Sequence, residues 1–286
     1  MIELLLEPFG YQYMVRAIWV SGLVGGVCAF LSCYLMLKGW SLMGDALAHS
    51  VVPGVALAYL WKLPYAAGAF LSGILAATAM AAIRQRTKLR EDAVIGIVFT
   101  TLFAAGLVIV SVYPTSVNIQ SIVLGNILNI ADEDIWQVIL ISGISLAILI
   151  AKWRDLMLVF FDEAHARSVG LDPVRLRILF FALLSACTVA ALQTVGACLV
   201  IAMVVTPGAT AYLLTDRFGR LLCLAVGMGT LTSAVGAYAS YFLDGSTGGL
   251  IVVFQTILFL LAFVFAPKHG RLAARRAARR AVEVTP

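Results

Sequence analysis

The sequence is poor in charge. Only 12% of its 286 residues are Asp, Glu, Lys or Arg, whereas 62% are hydrophobic and the mean hydropathy is +1.00. A soluble domain carries about 25% charged residues, and a soluble fold of this length could not cover so much apolar side chain with polar surface. The composition therefore excludes a water-soluble enzyme and a disordered chain. Despite a pI near 9.0, it also excludes a nucleic-acid-binding protein. It predicts an all-α integral membrane protein.

Motifs of catalysis are also absent from the sequence. It contains no H-E-x-x-H zinc motif, no G-x-S-x-G nucleophile elbow, no Walker A loop and no dinucleotide fingerprint. An intramembrane aspartyl protease needs two opposed aspartates within the membrane, and we predict only one there. We therefore expect a protein that is not an enzyme. If ATP drives its activity, another polypeptide must hydrolyse that ATP.

The cysteines and the N-terminal residues indicate neither a disulfide framework nor a signal peptide. The five cysteines lie in apolar runs and form no C-x-x-C pair, which is typical of small buried hydrophobic residues rather than of disulfides. Residues 1–19 lack both a basic region and a small-residue cleavage site. We therefore expect no removable signal peptide.

Apolar runs of spanning length are frequent, since about 20 apolar residues cross a bilayer. Nine runs qualify, and they predict eight to nine transmembrane helices; an eight-span arrangement with one re-entrant run stays open. The runs are 14–37, 46–61, 65–83, 93–112, 135–151, 176–192, 195–214, 221–242 and 250–266.

Two segments between these runs do not span. The outer loop 113–134 contains a short apolar stretch that predicts an interfacial or re-entrant helix. The inner loop 153–175 is predicted to be the longest cytoplasmic connection. Within it, the stretch FDEAHARSVG predicts a short helix that ends at Gly170. Asp172 and Pro173 then resemble the N-cap and first residue of the next helix.

Basic residues indicate the orientation. If the C-terminus is cytoplasmic, the nine-span arrangement places all but Arg16 and Lys62 of the 20 Lys and Arg residues on the cytoplasmic side. This agrees with the positive-inside rule. It also places the N-terminus outside.

Asp45 is the one acidic residue predicted within a span, and His49 is the one histidine predicted there. An ionised Asp at the centre of a span costs about 2.5–3.5 kcal/mol, so its presence suggests a function. The i, i+4 spacing places both side chains on one helix face, where they could share a divalent cation. Pro53 and Gly54 break this helix one turn later, which favours free carbonyls lining a cavity. Alternatively, the pair is neutralised and holds two helices together.

Three further polar residues and one proline, in or near the spans, are weaker candidates for a transport pathway. They are Gln193, Thr206, Pro207 and Asp244. Helix packing explains small and hydroxyl residues equally well.

The sequence closely resembles the permease subunits of bacterial ABC importers for manganese, iron and zinc, especially the manganese/chelated-iron group. The resemblance covers residues 10–267 and leaves out an Arg-rich tail. It rests on five stretches: GWSLMGDALAHSVVPG, REDAVIGIVF, SIVLGNILNIADED, FFDEAHARSVGLDP and LQTVGACLVIAMVVTPGATAYLLTDRFGR. It implies a transmembrane permease domain over 1–267, with a cytoplasmic tail over 268–286, in the bacterial inner membrane.

The resemblance also implies partners and site residues. The partners would be cytoplasmic ABC ATPase subunits, an extracytoplasmic metal-binding protein and a second permease, which is either the same chain or a paralogue. Asp45 and His49 match the family's membrane-embedded metal ligands. The residues that match its ATPase-coupling helix are Asp162, Glu163, Ala164 and Gly170.

We therefore predict the permease of an ATP-driven importer of manganese or iron, with zinc as a further cargo, and no permanently bound cofactor. One Asp and one His give two ligands per chain, so two chains around one pathway could supply four. The alternative is a stand-alone transporter or channel coupled to protons through Asp45. It would leave the segment 153–175 without a docking partner.

Overall fold

The structure, a computed structural model, describes residues 6–40, 42–113 and 132–266. These residues form helices joined by short turns, with no strand among them. Within the described ranges, a 3-10 helix at Glu7–Gly10 precedes eleven α-helices, which are α1 (Gln12–Lys38), α2 (Met43–Ser50), α3 (Val52–Leu60), α4 (Tyr65–Arg86), α5 (Glu91–Val112), α6 (Asp132–Phe161), α7 (Glu163–Ser168), α8 (Pro173–Val195), α9 (Ala197–Leu214), α10 (Phe218–Leu243) and α11 (Thr247–Phe265).

Eight helical segments in the described ranges are long and apolar enough to cross a membrane, counting α2 and α3 as one segment over Met43–Leu60. The all-helical membrane fold predicted from the composition is therefore confirmed. The ninth predicted run, 195–214, corresponds to α9. Its apolar part, Val200–Leu214, is shorter than the other eight segments.

One connection is shorter than predicted. We expected a loop to begin at residue 153, but α6 continues through Phe161. The stretch 153–161 contains neither Gly nor Pro, and the Lys152 ammonium pairs with the Asp155 carboxylate at 3.0 Å along the helix. The connection between α6 and α8 therefore begins only at Asp162. The interfacial helix predicted within 113–134 and the Arg-rich tail fall largely or wholly outside the described residues.

The chain divides into two compact units, of which the first comprises the described residues up to Met36 and from Ala202 onward. Small residues bring its helices close together. A Cβ atom added at Gly25 of α1 would lie 2.6 Å from the Gly229 carbonyl oxygen of α10. Close approach through small residues is the usual way in which membrane helices gain packing energy, because lipid tails give them little hydrophobic driving force.

The second unit, Leu37–Ile201, contains Asp45 and His49. A Cβ at Gly54 of α3 would collide with the backbone of Gly68 of α4, and the reverse also holds, so these helices pack backbone against backbone. At the other end of the unit, Trp40 packs with Phe160 and Phe181. The ring centroid of each phenylalanine lies 5.6 Å from the ring centroid of Trp40. These contacts fix the frame around the broken helix α2–α3.

Candidate metal site

The break between α2 and α3 leaves fewer open carbonyls than the sequence predicts. Pro53, near the start of α3, has no N–H to donate. The His49 carbonyl instead accepts from the Val51 N–H, and the Ser50 carbonyl accepts from the Ser72 hydroxyl of α4 at 2.5 Å. Since protein groups satisfy both carbonyls, side chains rather than backbone would have to supply the ligands of an ion.

Asp45 and His49 lie side by side, as their spacing predicts. The imidazole Nε2 of His49 is 3.2 Å from Oδ1 of Asp45. The His49 side chain is 27% exposed and the Asp45 side chain is 28% exposed, so both are partly accessible to solvent. Asp45 Oδ1 itself is buried and has no hydrogen-bond donor among the described residues, because the imidazole approaches it outside hydrogen-bond geometry. The pair therefore presents a carboxylate oxygen whose bonding capacity is unused.

Two phenylalanines of α5 form a wall beside the imidazole. Phe99 and Phe103 place their ring centroids 5.8 and 5.4 Å from that of His49. α5 comes close because Gly106 has no side chain; a Cβ there would lie 2.8 Å from the backbone nitrogen of Pro53. These aromatic residues are not among the predicted site residues, although their i, i+4 spacing places both on one face of an apolar helix.

The site contributes only two conventional ligands. In the described part of the chain, no group of three or more His, Cys, Asp and Glu side chains is placed to hold a metal ion. Structural metal sites in proteins are usually closed by four ligands. The described residues of one chain therefore supply two such ligands, Asp45 and His49.

The short helix α7 is built as the sequence predicts. The Asp162 carboxylate accepts from the His165 N–H at 3.0 Å and caps its start. At its end, the Leu171 N–H donates to the Ala166 carbonyl and the Gly170 N–H to the Arg167 carbonyl, with Gly170 at a φ of +87°. This is a Schellman motif, which favours glycine.

The connection then leads directly into α8. Asp172 accepts from the backbone N–H groups of Val174 and Arg175, and Pro173 begins the helix, again as predicted. Ala164 and Val169 of the connection are exposed. The caps at both ends thus hold a one-and-a-half-turn helix that presents small side chains outward.

Glu163 anchors α7 to α8. Its carboxylate accepts from the Arg167 guanidinium at 2.7 Å and from the Arg177 guanidinium at 2.5 Å. Partial burial raises the pKa of this carboxyl, but the two guanidinium groups, Arg177 above all, outweigh it and hold the pKa below its usual range. Arg177 is not among the predicted site residues, because nothing in its spacing from Glu163 along the sequence predicts the contact.

The weaker pathway candidates belong to three different helices, α8, α9 and α10. Gln193 is half-buried near the end of α8, and its Oε1 has no hydrogen-bond partner in the described structure. Thr206 and Pro207 lie within α9, where the Ser32 hydroxyl donates to the Val205 carbonyl at 3.0 Å. Asp244 is exposed and caps α10 in a left-handed conformation.

Comparisons with known proteins cover nearly the whole chain. The pattern of the ABC 3 transport family matches residues 10–266. The chain is 70% identical over 275 residues to the chelated iron transport system membrane protein YfeC of Yersinia pestis, covering 96% of this chain and 94% of that protein. It is 50% identical over 272 residues to the manganese transport system membrane protein MntB of Synechocystis sp., covering 94% of this chain and 88% of that protein.

A solved structure has the same fold. PsaBC from Streptococcus pneumoniae, in complex with Fab, superposes with a TM-score of 0.85 at 31% identity, covering 96% of this chain and 100% of that one. The family match, the two relatives and the eight spanning segments agree with one another. The chain therefore belongs to the ABC 3 transport family and is a multi-pass membrane permease of an ABC transporter, not an enzyme.

Proposed function

We propose that this permease imports Mn²⁺ or Fe²⁺ and that Asp45 and His49 bind the ion on its way through the membrane. The observation that carries the proposal is the pair itself, a buried carboxylate oxygen to which no described residue donates a hydrogen bond, beside an imidazole nitrogen. Two ligands about 2.1 Å from one ion, at tetrahedral to octahedral angles, are separated by about 3.0–3.4 Å. The separation of 3.2 Å fits this range.

The choice of cargo rests on ligand chemistry and on the relatives. Imidazole and carboxylate suit first-row transition metals, and the absence of a thiolate at the pair disfavours a soft metal such as Cu⁺. The two relatives are named for chelated iron and for manganese. Neither name mentions zinc, so zinc is not part of the proposal.

A site with two ligands per chain suits transport. A conducted ion must be bound well enough to enter and loosely enough to leave. A second permease, either another copy of this chain or a paralogue, would supply further ligands from its own pair. An extracytoplasmic metal-binding protein would deliver the ion.

The energy would come from a separate ATPase subunit that docks on α7. Glu163 and the caps at Asp162 and Gly170 hold this helix firmly, while Ala164 and Val169 remain exposed for a partner. A rigid helix that moves with α8 can pass a displacement from the ATPase to the spanning helices. A stand-alone proton-coupled transporter would have no use for it.

The test is uptake of radioactive Mn²⁺ and Fe²⁺ by cells that carry the complete transporter. Asp45→Asn and His49→Gln should each lower uptake at least tenfold, because changing even the groups that orient metal ligands costs about 10–100-fold. Asp155→Asn, which removes a partly exposed carboxylate paired with Lys152, should leave uptake unchanged. Normal uptake in both pair variants, at normal expression, would remove Asp45 and His49 from the pathway.

A second arm separates the energy sources. In proteoliposomes that contain the complete transporter, uptake should require ATP and be insensitive to a proton gradient. Uptake by this chain alone, driven by a proton gradient without ATP, would overturn the ATP-driven mechanism and favour the stand-alone transporter.

A further inference from the structure

An aromatic border adjoins the Asp45–His49 pair in the second unit. The ring of Phe103 meets the imidazole of His49 in a T-shaped arrangement, with an angle of 67° between the ring planes, and the Phe99 ring is tilted to the imidazole by 40°. Both phenylalanines are partly exposed, as are Asp45 and His49. The accessible space at the pair is therefore bordered by aromatic carbon on the side of α5 and by ligand atoms on the side of α2.

Packing fixes the position of the helix that carries this border. The side chains of Val94, Ile95 and Val98 on α5 are buried. Farther along α5, the backbone of Gly106 reaches the next helix, since a Cβ there would lie 2.8 Å from the Pro53 nitrogen of α3. Protein interiors packed this closely have low compressibility. The border therefore cannot recede to admit the water shell of an arriving ion.

Divalent ions differ in how much water they keep around them. Mg²⁺ gives up water reluctantly and retains several waters in an octahedral shell, and Ca²⁺ takes about six to eight oxygen ligands. First-row transition metals such as Mn²⁺ and Fe²⁺ bind imidazole nitrogen as well as carboxylate oxygen. A polar group that is placed against carbon without a hydrogen-bond partner costs free energy. An aromatic border therefore penalises an ion more, the more water that ion retains.

We propose that Phe99 and Phe103 are specificity-determining residues, which favour Mn²⁺ and Fe²⁺ over Mg²⁺ and Ca²⁺ by keeping water away from an ion at the Asp45–His49 pair. The inference rests on the proposed function, because it requires the ion to bind to this pair. The two rings are not ligands. They leave the bonds from the ion to Asp45 and His49 in place and act on the waters that complete its shell.

Equilibrium dialysis of the purified complete transporter against radioactive Mn²⁺, without nucleotide, measures this specificity. The Mn²⁺ that still binds to an Asp45→Asn variant is subtracted as binding elsewhere. Phe99→Asn and Phe103→Asn should each lower the concentration of Mg²⁺ or Ca²⁺ that displaces half of the bound Mn²⁺ about fivefold. This factor corresponds to about 1 kcal/mol, the contribution of one new hydrogen bond to a retained water. The affinity for Mn²⁺ itself should change less than about threefold, because both ligands remain.

Two matched variants test the cause of the effect. Phe103→Leu keeps the border apolar, so its specificity should equal that of the native transporter. Phe259→Asn makes the polar exchange at another partly exposed phenylalanine, which stacks on Phe263 within α11 of the first unit. Its specificity should also be unchanged. An equal change in Phe259→Asn and Phe103→Asn would indicate a general loosening of the helices and would overturn the inference.

Three further results would overturn it. If both Asn variants at positions 99 and 103 resist Mg²⁺ and Ca²⁺ as well as the native transporter does, the rings do not set the specificity. If both variants lose Mn²⁺ binding altogether, the rings position the imidazole instead. If Phe103→Leu loses specificity as Phe103→Asn does, exclusion of water is not the cause.

Failure of the proposed function gives a different result. In that case the native transporter and the Asp45→Asn variant would bind equal amounts of Mn²⁺, and no binding would depend on the pair. Mn²⁺ binding that depends on Asp45, combined with unchanged specificity in the Asn variants, would contradict only the role of Phe99 and Phe103.

Discussion

At the scale of single residues, two partly exposed carboxylates in the second unit have opposite surroundings. Glu163 accepts hydrogen bonds from two guanidinium groups, which compensate its charge and hold α7 on α8. Asp45 lies beside the His49 imidazole, and its Oδ1 accepts no hydrogen bond from the described residues. The same functional group is therefore structural at position 163 and available to a cation at position 45.

The pKa of Glu163 gives a prediction about pH. Because the folded pKa lies below the usual value of about 4.3, the ion pairs stabilise the fold above that value and lose their effect as pH falls through the folded pKa. Thermal unfolding should show the native chain more stable than Glu163→Gln, by no more than about 1 kcal/mol, at every pH between 6 and 8. The two should converge in acid. A difference that persists in strong acid would contradict the ion-pair account.

The contact between Gly54 and Gly68 gives a prediction about packing. A methyl group at Gly54 would collide with the Gly68 backbone, so Gly54→Ala should destabilise the chain by about 1–3 kcal/mol. Gly96→Ala is the matched control, because its Cβ would meet nothing within 4 Å and alanine favours a helix by up to about 1 kcal/mol. Melting temperatures in detergent should fall for the first variant and not for the second. Equal melting temperatures would rule out this close contact.

At the scale of helices, local signals were readable from the sequence and distant partners were not. The caps at Asp162, Gly170 and Asp172 are each encoded within a few residues, and those at Gly170 and Asp172 lie where predicted. Pro207 lies inside the continuous helix α9, and the N–H of the following Gly208 donates to the hydroxyl of Ser32, which is far away in sequence. At the break before Pro53, the Ser50 carbonyl likewise accepts a hydrogen bond from the Ser72 hydroxyl of another helix. Such partners depend on tertiary packing, which spacing along the chain does not show.

The Schellman motif of α7 gives a prediction about coupling. Gly170 has a φ of +87°, where a side chain costs about 1–2 kcal/mol, so Gly170→Ala should reorient or loosen the end of α7. In the complete transporter, we expect less metal transported per ATP hydrolysed, or weaker association with the ATPase. Gly219→Ala, in open space within α10, is the control. Unchanged coupling and unchanged co-purification in Gly170→Ala would exclude α7 as the docking helix.

At the scale of the whole molecule, charge distribution predicts the topology. With nine crossings, all but two of the 20 Lys and Arg residues lie on the cytoplasmic side. Green fluorescent protein fused after Pro286 should therefore fluoresce. Alkaline phosphatase should be active when fused after Lys62 and inactive after Arg86. Active phosphatase after both positions would show that α4 does not cross, and would contradict this topology.

The central claim is that a divalent metal ion passes between Asp45 and His49. The most direct measurement is anomalous X-ray diffraction at the manganese edge from crystals of the complete transporter loaded with Mn²⁺. We predict a peak within about 2.3 Å of both Oδ1 of Asp45 and Nε2 of His49, since metal–oxygen and metal–nitrogen bonds are about 2.0–2.2 Å long. A membrane-embedded manganese peak that neither side chain contacts would contradict the account.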